Sequence, residues 1–356
     1  MTNAVNIAQS GSNNQTMRNR IINGAMAIDQ RNNGSSITPT DGQYTLDRWR
    51  AQVSQASKLT IQQDAGAVTP PVGFTDYLGI TSTSAYSVVG SDYFGVFQHI
   101  EGFNIADLAW GTASAQPVTV SFWVRSSLTG NLSGVIKNGS NSRAYPFLYA
   151  ITSSNTWEYK TVTIPGDTTG TWNTTNGSGI AVLFSAGAGT SGSAAAGAWG
   201  AGNINGTTGA VSVVGTNGAT LYITGVQLEE GTAASPFENR LYGTELALCQ
   251  RYAIRYLGNS TYEKVPVTGL CLSSTQLTAA IILPVAMRAS PSLSYSNIVL
   301  GTTVQAISPT SVSVDHTSTL APSFNFLVAS GLSAGQPAFV QANATTSAFL
   351  ILNAEL

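Results

Sequence analysis

The chain has 356 residues, enough for two domains at roughly 100–200 each, yet only 9% of them are Asp, Glu, Lys or Arg, against about 25% in an ordinary soluble domain. Net charge is −2 with no run of like charge, which excludes the clustered phosphate contacts of a nucleic-acid binder, and no stretch reaches the ~18–20 apolar residues of a membrane helix. From Thr168 to Leu228 there is neither a charged side chain nor a His, so most ionic substrates and most catalytic centres are excluded as well.

Residues 1–20 are polar and rich in Asn and Gln, too poor in apolar side chains for a core. They read as an arm or tail, and they lack the apolar segment of a secretory signal. From residue 21 to 241 the chain alternates short apolar runs with Gly, Asn, Ser and Pro. In the run 117–127, Val118, Val120, Phe122 and Val124 fall on one face and Thr119, Ser121 and Trp123 on the other. That period of two predicts a half-buried strand. Segments 156–167, 179–186 and 219–231 read as strands in the same way. Many short strands without helical interludes predict an antiparallel jelly-roll sandwich. The Gly/Ala/Ser-rich stretch 185–210 is either a flexible loop or a segment packed on neighbouring backbone.

The period changes over 242–258. Leu246, Cys249, Ala253 and Tyr256 share one helical stripe; Thr244 is placed to cap the helix start and Gly258 its end. This predicts a linking helix that packs on its own sandwich or on symmetry mates. Residues 259–356 alternate again, with strands expected in 277–296, 308–318, 321–330 and 345–356, a second and smaller β domain. Cys249 and Cys271 are either one bridge or, as free Cys commonly is, two buried thiols.

The motifs that suggest catalysis lack their context. Gly331-Leu332-Ser333-Ala334-Gly335 matches a nucleophile elbow, but His99 and His316 both precede it. Gly187 to Gly192 matches a dinucleotide fingerprint without the acidic residue that should follow. Two His and two distant Cys cannot make a zinc site, and Asp315-His316 reads as a turn pair. No catalytic residue, metal or cofactor is assigned. Trp172 and Trp199, in loop-like surroundings, are the candidates for stacking on sugar rings, set against the plainer reading that each pins its loop to the sandwich.

The segment 19–34, NRIINGAMAIDQRNNG, followed by YTLDRW at 44–49, resembles the opening of bacteriophage tail-fibre and receptor-binding proteins with a body like that of carbohydrate-binding modules. Segments 98–127, 155–172, 222–231 and 235–256, and the P-x-x-M-R-x-x-P pattern of 284–291, extend the likeness over nearly the whole chain. The resemblance implies a non-enzymatic virion protein of the phage tail, assembled in the host cytoplasm. It implies a homotrimer attached to a tail or baseplate protein through residues 1–20 and recognising host-surface polysaccharide, with the helical stripe on the trimer axis. A capsid-attached head fibre or decoration protein, and a polysaccharide depolymerase, are the alternatives. Jelly-rolls of this kind often hold calcium through acids on a final strand. Here Thr224 and Gly225 stand at those positions, so no calcium is expected there.

Overall fold

A computed structural model describes residues 17–302 and 304–356 of the chain. The attachment expected of residues 1–16 lies outside the described residues. The chain is nearly all β and divides into two compact units, one running to Leu241 and one from Tyr242 to Glu355.

The first unit carries β1 (Tyr44–Leu46), β2 (Trp49–Val53), β3 (Leu59–Gln63), β4 (Leu78–Ser82), β5 (Tyr93–Glu101), β6 (Val118–Ser126) and β7 (Gly130–Asn138). It continues with β8 (Arg143–Ile151), β9 (Glu158–Ile164), β10 (Ser178–Ala188), β11 (Ser193–Ala194), β12 (Gly200–Ala201), β13 (Gly206–Thr207) and β14 (Thr220–Glu230). They form a seven-stranded sheet in the order β1-β2-β5-β10-β7-β8-β12 and a five-stranded sheet in the order β3-β4-β14-β6-β9, a jelly-roll sandwich. Its core is the set of positions that alternation selects. Val118, Val120, Phe122 and Val124 of β6 are buried in one cluster with Ile180, Val182 and Phe184 of β10. Phe122 and Phe184 meet edge to face, with centroids 4.9 Å apart. The opposite face of β6 is less exposed than alternation predicts. Thr119 and Ser121 are buried, and the Thr119 hydroxyl donates to the Gly231 carbonyl at 2.9 Å, where the chain folds back over the sheet.

The segment that opens the fibre-like pattern is a latch. Residues 19–24 run beside β14. The Asn19 amide donates to the Val226 carbonyl at 3.1 Å, and Arg20 N–H to Leu228. Asn23, left-handed at φ 57°, accepts from Ile28 N–H and donates to the carbonyls of Ile28 and Asp47. Asp47 in turn accepts from Gln30, and the Trp49 indole donates to the Asn23 carbonyl at 3.0 Å. Residues 17–20 are therefore part of the sandwich, where the sequence places them in a free arm. Gly24 is needed for this approach, because a Cβ there would lie 2.2 Å from the Val226 carbonyl oxygen.

The second unit opens with helix α1 (Tyr242–Gln250), then β15 (Ala253–Tyr256), β16 (Lys264–Cys271), β17 (Gln276–Ala280), β18 (Ser292–Ser296), β19 (Ile298–Gly301) and β20 (Ala306–Ile307). After these come β21 (Ser311–His316), β22 (Ser323–Leu327), β23 (Pro337–Ala342) and β24 (Phe349–Asn353). A three-stranded sheet, β15-β24-β18, and a seven-stranded sheet, β20-β19-β23-β16-β17-β22-β21, enclose a separate core. The expected helical stripe is not one element. Leu246 and Cys249 lie on α1, but Ala253 and Tyr256 lie on β15, paired opposite Asn353 and Leu350. The chain leaves the helix at residues 251–252 because the Tyr-, Ile- and Arg-bearing run completes a ladder with β24, a tertiary partner that outweighs the local helical pattern. Gly258 ends a strand. Cys249 and Ala253 are buried within the single chain, while Leu246 and Tyr256 are half-buried. Neither Cys249 nor Cys271 is in a disulfide, and both are buried. Among the described residues no helix is long and apolar enough to cross a membrane.

A polar cleft on the outward face of the seven-stranded sheet

The register of the first unit's larger sheet decides which outward-facing side chains meet. Arg50 of β2 lies opposite Phe97 of β5, which lies opposite Leu183 of β10, and Leu183 opposite Val135 of β7. One step along, His99 of β5 and Lys137 of β7 flank Ala181 of β10. Ala181 contributes a single methyl group between two long side chains, and a cleft of about 160 Å³ opens there. Asp41, Arg50, Gln52, Tyr93, His99 and Lys137 line it, with Phe97 as its apolar wall.

The Gly-rich stretch completes the cleft. It is folded: β12 pairs with β8, β11 with β13, and Ile204 packs on the outer-face cluster of Phe97, Val135, Ala144, Ala181 and Leu183. Asn203 and Asn205 are thereby carried to Lys137, whose ammonium donates to their Oδ1 atoms at 3.2 and 2.9 Å.

Lys137 is only 3% exposed, and its pKa falls to about 8 because burial disfavours the ammonium and Arg50 repels it. Burial, followed by the charges of Arg50, Arg48 and Lys137, lowers His99 to about 3, so the imidazole is neutral at physiological pH. Its Nδ1 is 2.7 Å from the Ser178 hydroxyl. The Arg50 guanidinium carbon and the Lys137 nitrogen lie 5.3 and 5.9 Å from the Phe97 ring centroid, and Arg50 Nε donates to the Gly42 carbonyl at 3.0 Å. Gln52, 7% exposed, has a buried carboxamide nitrogen with no hydrogen-bond partner. The single carboxylate, Asp41, accepts from Val53 N–H at 3.0 Å and from the Tyr93 hydroxyl at 3.3 Å.

The two tryptophans chosen from sequence lie elsewhere. Trp110, Trp172 and Trp199 form a triangle of edge-on indoles with centroids 4.6, 5.3 and 5.4 Å apart. Each indole N–H donates to a carbonyl, of Gln116, Thr169 and Pro165 respectively. Trp172 is 7% exposed and Trp199 half-buried, packed also on Tyr145 at 5.3 Å. Trp172 has no open face for a sugar, and both rings pin their loops to the sandwich. A bidentate ion pair, Arg143 Nε and Nη2 to Asp167 at 2.7 and 2.8 Å, ties down the same loop.

Thr224 donates to the Asp76 carbonyl at 2.7 Å, and Gly225, at φ 62°, forms the bulge that separates it from Gln227. Among the described residues no group of three or more His, Cys, Asp or Glu is placed to hold a metal. Asp315 and His316 lie on β21, where the sequence suggests a turn. The Ser323 hydroxyl donates to the Asp315 oxygen that His316 also contacts, at 2.8 Å each, and lies 3.4 Å from His316 Nδ1. The residues that the sequence reading missed, Arg50, Gln52, His99, Lys137, Asn203 and Asn205, come from four separate segments.

No protein-family model and no curated protein matches the sequence. Solved structures that resemble the fold include TmCBM61 in complex with β-1,4-galactotriose, at 10% identity over 60% of this chain and 99% of that one, with a TM-score of 0.31. The family 11 carbohydrate-binding module of the cellulosomal cellulase Lic26A-Cel5E of Clostridium thermocellum is 14% identical over 56% and 98%, TM-score 0.27. The enzymatically active domain of bacteriophage CBA120 tailspike protein 4 is 12% identical over 60% of this chain but 22% of that one, TM-score 0.32. With identities of 10–14% and TM-scores of 0.27–0.32, these likenesses carry no argument about this chain.

Proposed function

We propose that the first unit binds carbohydrate in the cleft above Ala181, without cleaving it, as part of a homotrimeric phage tail-fibre or receptor-binding protein on the virion. The observation that carries the binding site is the Gln52 carboxamide, buried at the cleft with its nitrogen unpartnered. A buried amide donor without a partner costs about 1–3 kcal/mol, a cost that a ligand rich in hydroxyl groups removes. Asn141, Asn203 and Asn205 line the same space, and Phe97 and Tyr93 supply the apolar surface that sugar rings cover. Binding without hydrolysis is supported by the lone carboxylate, since a glycosidase ordinarily needs two. The virion role, the trimer and the tail attachment rest on the order of fibre-like segments along the sequence.

Mixing the protein with host-cell polysaccharide tests the reading, by co-sedimentation and by assay for new reducing ends. Binding that Gln52→Ala weakens, with no reducing ends, is expected. Retention of full binding by Gln52→Ala would move the site elsewhere. A mass in solution near three times 36.9 kDa is expected for the trimer, and a stable monomer would overturn it.

A further inference from the structure

We infer that the cleft selects a sugar carrying an anionic group, a uronic-type carboxylate or a phosphate ester, seated between Lys137 and Arg50. The inference rests on the carbohydrate reading and adds the ligand's charge. Several cations of this charge-poor chain are neutralised locally: Arg20 by Asp107, Arg143 by Asp167, Lys160 by Glu158, Arg240 by Glu238. Lys137 and Arg50 are not. The hydrogen bonds of Lys137 go to two neutral amide oxygens and that of Arg50 to a backbone carbonyl, and among the described residues neither has an ion-pair partner.

The charged and titratable groups facing Lys137 are Arg50 from β2, the neutral His99 from β5 and, at the rim, Asp41 and Tyr93. Arg48 lies behind His99, donating to its carbonyl. Asp41 is held by Val53 and Tyr93 and offsets at most one of the cations. A buried ammonium facing a guanidinium leaves an uncompensated positive field, and in a partly desolvated cleft an anion is the ligand that relieves it. The unpartnered Gln52 nitrogen adds a neutral donor to the same space, suited to an acceptor oxygen of that ligand. At about 160 Å³ the cleft is smaller than the roughly 300–1,000 Å³ of drug-sized pockets, which fits one sugar residue rather than a run of polymer. The Asp315–His316–Ser323 cluster, by contrast, is exposed and internally bonded.

The test uses the full chain and ligand-detected NMR titration with glucuronate, galacturonate, N-acetylneuraminate and glucose 6-phosphate, each set against glucose and galactose. At least one anionic sugar is expected to bind tenfold or more tighter than its neutral counterpart at pH 7. The preference should be lost in Lys137→Met and Arg50→Gln, both checked for a cooperative melt, and should weaken above pH 8–9 as Lys137 releases its proton. Preference for the carboxylates over the phosphate, or the reverse, identifies the anion. Equal binding of neutral and anionic sugars, or a preference that survives both variants, would overturn the inference while leaving the carbohydrate reading intact. Binding of no anionic sugar would also overturn it, and the carbohydrate reading would then stand or fall on the polysaccharide experiment alone.

Discussion

Replacing Trp172 with Ala separates a loop pin from a sugar platform. The ring is 7% exposed, donates to Thr169 and meets Trp110 and Trp199 edge-on at 4.6 and 5.4 Å. A buried Trp covers about 150–250 Å², which at about 25 cal/mol/Å² is roughly 4–6 kcal/mol of burial. Part of that is recovered by collapse and by the Ala methyl, so the expected cost is about 3–5 kcal/mol. At about 2–4 °C per kcal/mol for a domain of this size, the melting temperature of the first unit should fall by roughly 6–20 °C. Tryptophan fluorescence reads this unit by itself, since all six Trp residues lie at or before position 199, and five report in the variant. Trp199→Ala, with its ring half-buried, should cost less. A Trp172→Ala protein that melts within about 2 °C of the parent but no longer binds glycan would refute the pinning argument and restore the sugar-stacking role.

Three further outcomes follow from the same physics. Burial opposes ionisation of Asp167, but the bonds from Arg143 and Thr169 outweigh it and hold its pKa below the ordinary range. Its contribution is therefore present above about pH 4 and lost as pH falls through the native value; Asp167→Asn should lower stability at pH 7 by roughly 1.5–3 kcal/mol and flatten the acid limb of a urea-unfolding series. Gly24→Ala drives a Cβ to 2.2 Å from backbone at Val226 and should cost about 1–3 kcal/mol, whereas Gly243→Ala, in helix α1 with open space around it, should raise the second unit's stability by about 0.4–1 kcal/mol in calorimetry. Lys137 releases its proton near pH 8 in the native protein and near 10.4 unfolded, so between those values the unfolded chain holds more protons and stability should rise with pH, by up to roughly 3 kcal/mol; a Lys137→Met protein that shows the same rise would sink the assignment.

The strands were legible because burial on one face imposes a period of two: residues 117–127, 156–167 and 219–231 contain β6, β9 and β14, and 179–186 lies within β10. The helix was half legible. Residues 242–250 have no β partner and follow their local pattern, but residues 253–256 meet β24, nearly a hundred positions away, and no local pattern encodes that. The cleft was not legible for the same reason. Arg50, His99 and Lys137 are neighbours only through the β2-β5-β10-β7 order of the sheet, and the Asn pair arrives on a Gly-rich segment whose sequence looks featureless. One local signal was present: Lys137 is a solitary charge on an outward strand position flanked by buried residues, where a solvated lysine has no place. The tryptophans drew the functional reading instead, because aromatic rings in loops resemble both a binding platform and a pin, and only packing tells them apart.

The motifs that carried the family resemblance turn out to be structural. Asn23, Asp47 and Trp49 lock the N-terminal segment onto the sandwich, and Arg288 of the 284–291 pattern donates to the carbonyls of Ala354 and Glu355, holding the end of the second unit. Such latches maintain a fold and say nothing about which sugar it meets. Specificity has to come from positions where the fold bears a cost it does not need. Lys137 is such a position: a Met of similar length would fill the space without the desolvation penalty. In a chain that has replaced most of its charges with Ser, Thr, Asn and Gly, a buried ammonium that faces a guanidinium and is held by two neutral amide oxygens rather than a carboxylate is the kind of group an anion would stabilise further. On the proposed reading, the same low charge that removes the field from the rest of the surface leaves this cleft suited to distinguish a charged sugar from a neutral one.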